Sequence, residues 1–358
     1  MQCGLQKARL KPMGQDTKIS CRRWGRLSDG RQVDCFYMEH EEIGISILTY
    51  GAVIQSIRVK DKAGQMQDVV TGFDTAREYE RSRLHFGATI GRCCNRIRNG
   101  RFSMNGTHYQ LSINSPPNHI HGGVCGLDRK IWDAAQDGNR LLLTCRSTDG
   151  EEGYPGNLVV NMGLTVERNS VRIRYTAQTD ADTLCNLTNH TYFNLNGHGT
   201  GTAVKHGIEI PARLYAPLDA NGLPVGIIEE VRGTQYDMNR MRAVAADGRL
   251  PVPRSACFLP DGEGLRPHAW LTGEKSGISL RMSSSMPALQ YYTGYLIPEG
   301  TMGKQGAVYG PCQGICLEPQ FVPDAVNCNC FSKPVLQKGR IYSQETYYVF
   351  DNGLEEQE

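Results

Sequence analysis

The chain has 358 residues, of which 39% are hydrophobic and 21% are charged, a balance typical of a globular protein with a sizeable core. Its formal net charge of +2 and the lack of a basic block argue against nucleic acid or a membrane surface as its partner. Residues 1–20 lack the apolar segment of a secretory signal, and no apolar run approaches the ~20 residues of a membrane-spanning helix, so we expect a soluble protein.

Alternating apolar and polar residues predict β-strands along the whole chain. In chain order, the alternation is clearest in residues 43–47, 160–166, 171–177 and 278–282. The two central segments predict a hairpin, with the polar residues 167–170 as its turn. Helical periodicity is weak, because only residues 74–83 predict a short helix, with Asp74 as its N-cap.

The sequence therefore predicts an all-β protein. Forty glycines and seventeen prolines are consistent with many tight turns, and no linker, low-complexity tract or repeat divides the chain. An all-β chain of this length must close its sheets into a sandwich or a barrel in order to bury their inner faces. We favour a large antiparallel sandwich in a single domain.

The thirteen cysteines favour a reducing compartment. Their number is odd, and their scattered spacing does not match the pattern of a zinc site, so we expect buried, reduced thiols in a cytoplasmic protein. Asn186 and Asn189 each begin a glycosylation sequon within a cluster of candidate site residues, where a glycan would block the site. This also favours the cytoplasm.

Two of the polar clusters lie in the first half of the chain. Residues 87–97 contain two glycines followed by Asn95 and Arg96, which offer several hydrogen-bond donors, although such a pair is more often structural. Residues 118–123 contain His119 and His121, which would share one face of a strand and could ligate a metal. No third ligand is identifiable from the spacing, so we expect no metal.

Two further clusters contain candidate acid and base groups. His190 lies among polar and aromatic residues in segment 186–195, where a hydrogen-bonded core histidine is the ordinary interpretation. Glu318 follows an apolar stretch and precedes Pro319, so we expect it to end a strand with a partly desolvated carboxylate. Burial would raise its pKa toward the range of a general base. With no nucleophile triad or phosphate-binding loop, the clusters together favour proton transfer on a neutral, hydroxyl-rich substrate.

Six ordered motifs resemble those of the aldose 1-epimerase, or galactose mutarotase, family. They are residues 87–97, 119–123, 149–158 (DGEEGYPGNL), 179–197 (TDADTLCNLTNHTYFNLNG), 290–294 (QYYTG) and 317–327 (LEPQFVPDAVN). The resemblance extends from about residue 22 to residue 352. We therefore expect residues 1–21 to form an N-terminal extension and residues 22–358 to form one domain.

The resemblance implies a β-supersandwich fold, a reaction and a role for each motif. The reaction would interconvert the α and β anomers of a free hexose such as galactose or glucose, without a cofactor. Glu318 resembles the general base that takes the anomeric proton, and His190 the general acid that protonates the ring oxygen. Groups that would bind sugar hydroxyls are Asn95, Arg96, His121, Asp237 and Gln290. The motif around Asp237 is looser than that of the family.

Departures from the family pattern leave the substrate open. Residues 82–85 replace the usual aromatic or proline-rich stretch, and His85 could alter the rim of the pocket. One alternative is a hexose-6-phosphate mutarotase, with Arg83 or Arg92 binding the phosphate. Others are a non-catalytic sugar-binding module and a glycosidase that uses Glu318 and Asp237 as paired carboxylates. We expect a hexose as the partner, and a monomer or weak homodimer.

Overall fold

The computed structural model describes residues 17–245 and 252–353. These residues form many short and several long β-strands and one α-helix. Among them, no helix is long and apolar enough to cross a membrane.

The strands of the first half, in chain order, are β1 (Lys18–Arg26), β2 (Gln32–His40), β3 (Ile43–Leu48), β4 (Val53–Lys60), β5 (Met66–Asp68), β6 (Thr89–Ile90), β7 (Arg96–Ile97), β8 (Arg101–Met104), β9 (Thr107–Gln110), β10 (His119–Ile120), β11 (Asp133–Asp137), β12 (Arg140–Ser147), β13 (Leu158–Glu167) and β14 (Ser170–Thr179). The helix α1 (Ala76–Arg81) follows β5.

The remaining strands are β15 (Thr183–Leu184), β16 (Thr188–Asn189), β17 (Tyr192–Phe193), β18 (Gly207–Glu209), β19 (Leu214–Ala216), β20 (Glu229–Glu230), β21 (Arg242–Ala243), β22 (Ser255–Leu259), β23 (Arg266–Thr272), β24 (Ser279–Ser284), β25 (Ala288–Tyr292), β26 (Thr301–Met302), β27 (Val308–Tyr309), β28 (Ile315–Gln320), β29 (Val335–Leu336) and β30 (Tyr342–Asp351). Short 3₁₀ helices lie at Arg98–Gly100, Leu127–Arg129, Glu151–Gly153, Lys304–Gly306 and Ala325–Asn327.

Three large antiparallel sheets carry the fold, as the sequence predicts. A five-stranded sheet has the order β1-β2-β3-β4-β5, and a nine-stranded sheet has the order β11-β12-β13-β14-β30-β24-β23-β18-β21. A six-stranded sheet has the order β17-β28-β25-β22-β19-β20. One continuous core of buried side chains from all three sheets packs between them, which is the arrangement of a sandwich.

The period-2 alternation correctly predicts the longest hairpin. In β13 and β14, the apolar positions of segments 160–166 and 171–177 are buried, and their neighbours other than Gly163 are more open. Glu167 pairs with Ser170, so the turn has two residues rather than the predicted four. The alternating segments 43–47 and 278–282 also contribute buried apolar side chains to β3 and β24.

Two local predictions differ from the structure. The helix near residue 75 begins one residue later than predicted, because Thr75 and not Asp74 is the N-cap, and the side chains of Thr75 and Glu78 form a capping box. The first strand begins at Lys18, so residues 18–21 of the expected extension pair with β2. Residues 1–16 of that extension lie outside the described residues.

Candidate active site

An open cavity of about 510 Å³ lies beside the six-stranded sheet. Its volume falls within the usual range for a small-molecule site. Six of the seven residues predicted from the sequence line it: Glu318, His190, Asn95, Arg96, His121 and Gln290. Side chains from five segments that are distant in the sequence therefore meet at one pocket.

The register of three neighbouring strands explains half of this convergence. In β25 and β28, Gln290 pairs directly with Glu318 across the sheet. On the other side of β28, Tyr192 in β17 pairs with Cys316, two residues before Glu318. Residues two apart point to the same face of a strand, so Cys316 and Glu318 lie on the face of β28 against which the chain segment with His190 packs.

The short sheet of β7 and β10 supplies the opposite wall. Ile120 pairs with Arg96, and the backbone N–H of His121 donates to the carbonyl of Asn95 at 3.1 Å. Both Asn95 and His121 have left-handed backbones, with φ of 61° and 55°. Gly122 follows with φ of 85°, and a Cβ there would lie 1.9 Å from the carbonyl oxygen of Gly91, so only glycine allows this close turn.

Glu318 is a buried acid with an unsatisfied oxygen. The residue is 2% exposed, and Oε2 has no hydrogen-bond partner among the described residues. Burial raises the pKa of this carboxyl to about 8, although the positive charge of Arg96 acts in the opposite direction. The strand continues through Pro319 to Gln320, so Glu318 lies inside β28 and not at its end as the sequence suggested. Its desolvation is consequently complete rather than partial.

His190 faces this carboxylate. Its Nε2 lies 3.6 Å from Oε2 of Glu318, and burial lowers the pKa of the imidazole to about 3. The thiol of Cys316 lies 3.6 Å from the other ring nitrogen, Nδ1. Because burial raises the pKa of Cys316 well above its usual value, the thiol stays protonated and can donate to Nδ1. The histidine proton is then on Nε2, beside Glu318.

The tautomer of His121 is fixed by the backbone. The N–H of Asn95 donates to Nδ1 of His121 at 3.2 Å, so this nitrogen must be the acceptor. Burial also lowers the pKa of His121 well below its usual value, which keeps the ring neutral. Its Nε2 therefore carries the proton and can donate a hydrogen bond into the pocket.

Asn95 and Gln290 connect the two walls of the pocket. Nδ2 of Asn95 donates to Oε1 of Gln290 at 3.3 Å, and Nε2 of Gln290 donates to Oγ of Ser255 at 2.8 Å. Arg96 lies next to them, with a guanidinium whose pKa is lowered by burial. A Cβ on Gly222 would lie 2.9 Å from Nη1 of Arg96, so a glycine there leaves room for this cation.

Asp237, the seventh predicted residue, does not line this pocket. It lies between β20 and β21 on a different cavity, and its carboxylate accepts hydrogen bonds from the backbone and side-chain N–H groups of Asn239. The aspartate thus stabilises its own turn, and the structure does not bring it together with the other six predicted residues. Among the described residues that line the pocket, Glu318 is the only carboxylate.

The metal-binding interpretation of the histidine pair is not supported by the chemistry of the donors. His119 is fully buried, with Nε2 2.7 Å from the hydroxyl of Tyr154 and Nδ1 2.7 Å from the carbonyl of Ser112. Both of its ring nitrogens therefore have partners in the core. In the described part of the chain, one group with metal-ligand geometry is found, His190, Cys316 and Glu318. Its thiol and carboxyl both have raised pKa values and hold protons that a cation would have to displace.

Sequence reasoning missed part of the pocket. Tyr192 stacks on His190 with ring centroids 5.0 Å apart, and Tyr292 also lines the cavity. Both tyrosines lie inside motifs already singled out, but nothing in the alternation shows which face they occupy. His85, named only as a rim residue, also lines the cavity. In contrast, Arg92 is buried and bonded to Ser147 and to backbone carbonyls, outside the pocket.

The fold and the site define a class: large β-sandwich proteins with a buried acid–base pair in an open, polar pocket. A family model described as aldose 1-epimerase matches residues 34–349. Galactose mutarotase of Mus musculus is 35% identical over 326 residues, which cover 90% of this chain and 95% of that protein. Aldose 1-epimerase of Escherichia coli strain K12 is 32% identical over 321 residues, covering 86% of this chain and 91% of that protein.

A solved structure agrees with these relatives. The GalM/aldose epimerase homologue from C. elegans superposes with a TM-score of 0.82 at 27% identity, and the match covers 94% of this chain and 99% of that chain. The chain belongs to the aldose 1-epimerase family. It is an enzyme that acts on carbohydrates.

Proposed function

We propose that this enzyme interconverts the α and β anomers of free hexoses, galactose among them, and that Glu318 and His190 carry the reaction. The observation that supports this most is the buried pair itself, with Nε2 and Oε2 3.6 Å apart and with pKa values displaced in opposite directions. Acid–base groups whose environments separate their pKa values are typical of active sites.

In the proposed mechanism, the carboxylate of Glu318 takes the proton of the anomeric hydroxyl while protonated His190 gives its proton to the ring oxygen. The bond between the anomeric carbon and the ring oxygen breaks, which leaves an open-chain aldehyde. Rotation about the adjacent carbon–carbon bond presents the other face of the carbonyl. The chain hydroxyl then attacks, and the two protons return to His190 and to the new anomeric oxygen.

The pocket offers hydrogen-bond groups that suit a neutral sugar. His121 presents an N–H donor, and Asn95 and Gln290 are already bonded to each other and to Ser255, which holds their orientation. Arg96 supplies a positive charge beside Glu318 that favours the ionised carboxylate. Prepositioned donors of this kind lower the cost of orienting a substrate.

The pH profile of this enzyme should have an alkaline limb. The pair holds one proton between about pH 3 and about pH 8, on Glu318 or on His190. The reactive form also holds one proton, and that proton is on His190. The form with the proton on Glu318 and the reactive form therefore interconvert without gaining or losing a proton, so the fraction of the reactive form does not depend on pH in this interval. We expect kcat/KM to be level in this interval and to fall tenfold for each pH unit above about 8, where the pair loses its proton.

Initial rates of anomerisation between pH 5 and pH 10 test this profile, with the uncatalysed rate subtracted at each pH. A rise of kcat/KM through pH 8 would contradict the proposal, because it would mean that the ionised carboxylate alone is required and that His190 gives no proton.

The substrate is tested by polarimetry of freshly dissolved α-galactose with and without the purified protein. We expect a faster decay of the optical rotation to the same endpoint, since an enzyme leaves the equilibrium between anomers unchanged. The Glu318→Gln variant is the control, and at the same concentration it should accelerate the decay far less. Measurable sugar binding without any acceleration, for galactose, glucose and their 6-phosphates, would instead favour a non-catalytic sugar-binding module.

The pocket gives less support to a glycosidase or to a hexose-6-phosphate mutarotase. A glycosidase needs two carboxylates on either side of one bond, whereas Glu318 is the only carboxylate among the described residues of the pocket. A hexose-6-phosphate mutarotase needs a cluster of cations, whereas Arg83 and Arg96 are the two arginines among the described residues of the pocket, and Arg96 lies beside Glu318. The free hexose is therefore the better-supported substrate.

The two sequons support the proposed cytoplasmic location. Asn186 and Asn189 are both buried, and Nδ2 of Asn189 donates to the carbonyl of Gly87 at 2.8 Å. A glycan on either amide could not be accommodated in this fold. The twelve cysteines of the described residues are free thiols.

A further inference from the structure

His85 is held in the pocket by a buried carboxylate. Its Nδ1 lies 3.0 Å from Oδ2 of Asp128, whose side chain is only 4% exposed. The same oxygen lies 3.1 Å from Nε of Arg129. Because Oδ2 belongs to a carboxylate that forms an ion pair with Arg129, it acts as the acceptor toward the imidazole. Nδ1 of His85 therefore carries a proton.

The other nitrogen of His85 is available to a ligand. In the neutral ring, a proton on Nδ1 leaves a lone pair on Nε2. Among residues 17–245 and 252–353, Nε2 has no hydrogen-bond partner, and the side chain, 17% exposed, lines the cavity that contains Glu318. His85 thus presents an acceptor to this cavity.

The neighbouring ring of His121 presents the complementary group. The centroids of the two rings are 5.0 Å apart, and each lies within 6 Å of the ring of His190, at 5.9 Å for His85 and 5.3 Å for His121. The N–H of Asn95 fixes His121 with its proton on Nε2, and Asp128 fixes His85 with its lone pair on Nε2. One donor and one acceptor therefore lie side by side next to the proposed general acid.

We propose that His85 binds the sugar directly and that, with His121, it selects the position of one hydroxyl. A hydroxyl group both donates and accepts, so one group placed between the two rings satisfies both: it accepts from Nε2–H of His121 and donates to Nε2 of His85. A sugar with this hydroxyl in the opposite configuration leaves both ring nitrogens unpaired in a largely buried site, which disfavours its binding. The inference rests on the proposed mutarotase function, and it makes His85 a specificity-determining residue.

The test compares His85→Asn with wild type on five sugars: galactose and the four monodeoxygalactoses that lack the hydroxyl at C2, C3, C4 or C6. Asparagine tolerates the left-handed backbone at this position, where φ is 54°, but its shorter side chain withdraws the acceptor. We expect a loss of about tenfold in kcat/KM for galactose and for three of the deoxy sugars. For the one deoxy sugar that lacks the selected hydroxyl, variant and wild type should have equal rates.

Two further variants complete the design. His85→Gln places an acceptor at the end of a longer side chain than that of asparagine. It should recover part of the lost kcat/KM for galactose and for the three deoxy sugars that keep the selected hydroxyl. His108→Asn is the matched control, because His108 is an exposed histidine on β9 whose ring bonds Ser103, and its rates should equal those of wild type.

Each outcome separates this inference from the proposed function. An equal loss on all five sugars, or no loss on any, would overturn the role of His85, since a general disturbance of the pocket does not depend on one hydroxyl. A wild-type protein that does not accelerate the anomerisation of galactose would overturn the proposed function instead.

Discussion

Replacing Glu318 by glutamine will abolish most of the mutarotation, because the amide is too weak a base to take the anomeric proton. The loss in kcat should be on the order of 10²–10⁴-fold, which is what one positioned general base contributes. The Michaelis constant should change much less, since glutamine fills the same volume beside Gln290 in the neighbouring strand. Polarimetric initial rates over a range of galactose concentrations measure both quantities.

The same substitution will stabilise the folded protein at alkaline pH. Burial raises the pKa of Glu318 from 4.5 to about 8, so the folded state holds this proton more tightly than the unfolded state does. The stability that this proton contributes is complete below pH 4.5 and is lost as the pH rises through about 8. Glutamine resembles the protonated acid and cannot ionise. The difference in the free energy of unfolding, Glu318→Gln minus wild type, should therefore be larger at about pH 9 than at about pH 4, by on the order of 4 kcal/mol.

Urea unfolding at a series of pH values, followed by tryptophan fluorescence, measures this difference. Glu274→Gln is a matched control. Burial acts to raise the pKa of Glu274, but hydrogen bonds such as the one from Asn196 hold this pKa below its usual value. The Glu274→Gln variant should therefore gain no stability at alkaline pH. It should also keep its turnover. Full activity of Glu318→Gln would contradict its role as the base, and a relative stability that does not depend on pH would contradict its raised pKa.

Local patterns were sufficient to predict the fold class. The hairpin of β13 and β14 follows from strict alternation, because each apolar side chain of that pattern reaches the core only if the backbone is extended. The motif resemblance also located most of the pocket: six of the seven predicted residues line it. These residues lie on short strands and turns whose sequences contain the necessary glycines, such as Gly122 after His121.

What could not be predicted depends on contacts between distant segments. The proline after Glu318 suggested the end of a strand, but Pro319 lies within β28, so the strand continues and buries the acid completely. The turn around Asp237 satisfies that carboxylate locally, which no single-sequence pattern reveals. His85 and Asp128 are separated by 43 residues, and only the folded chain brings them together. Strand pairing and packing between segments, rather than local sequence, determine each of these features.

Replacing His190 by asparagine will lower kcat/KM on the order of 10²–10⁴-fold, because the variant lacks the group that protonates the ring oxygen. The slow reaction that remains should have the opposite pH dependence to wild type. With no histidine to share the proton, the variant is active only when Glu318 is ionised, so its residual kcat/KM should rise as the pH increases through about 8. Wild-type kcat/KM should fall over the same interval.

Initial rates of both proteins across this pH range provide the measurement, and His268→Asn is the control. His268 is a fully buried histidine of β23 whose ring nitrogens both lie close to backbone carbonyls, and it does not line the pocket. Its loss should lower stability but leave the shape of the pH profile unchanged. If the residual activity of His190→Asn instead fell above pH 8, as in wild type, another group would have to supply the proton. A kcat/KM that rises above about pH 8 in the variant but falls in wild type therefore distinguishes a proton donor at residue 190 from a residue that only shapes the pocket.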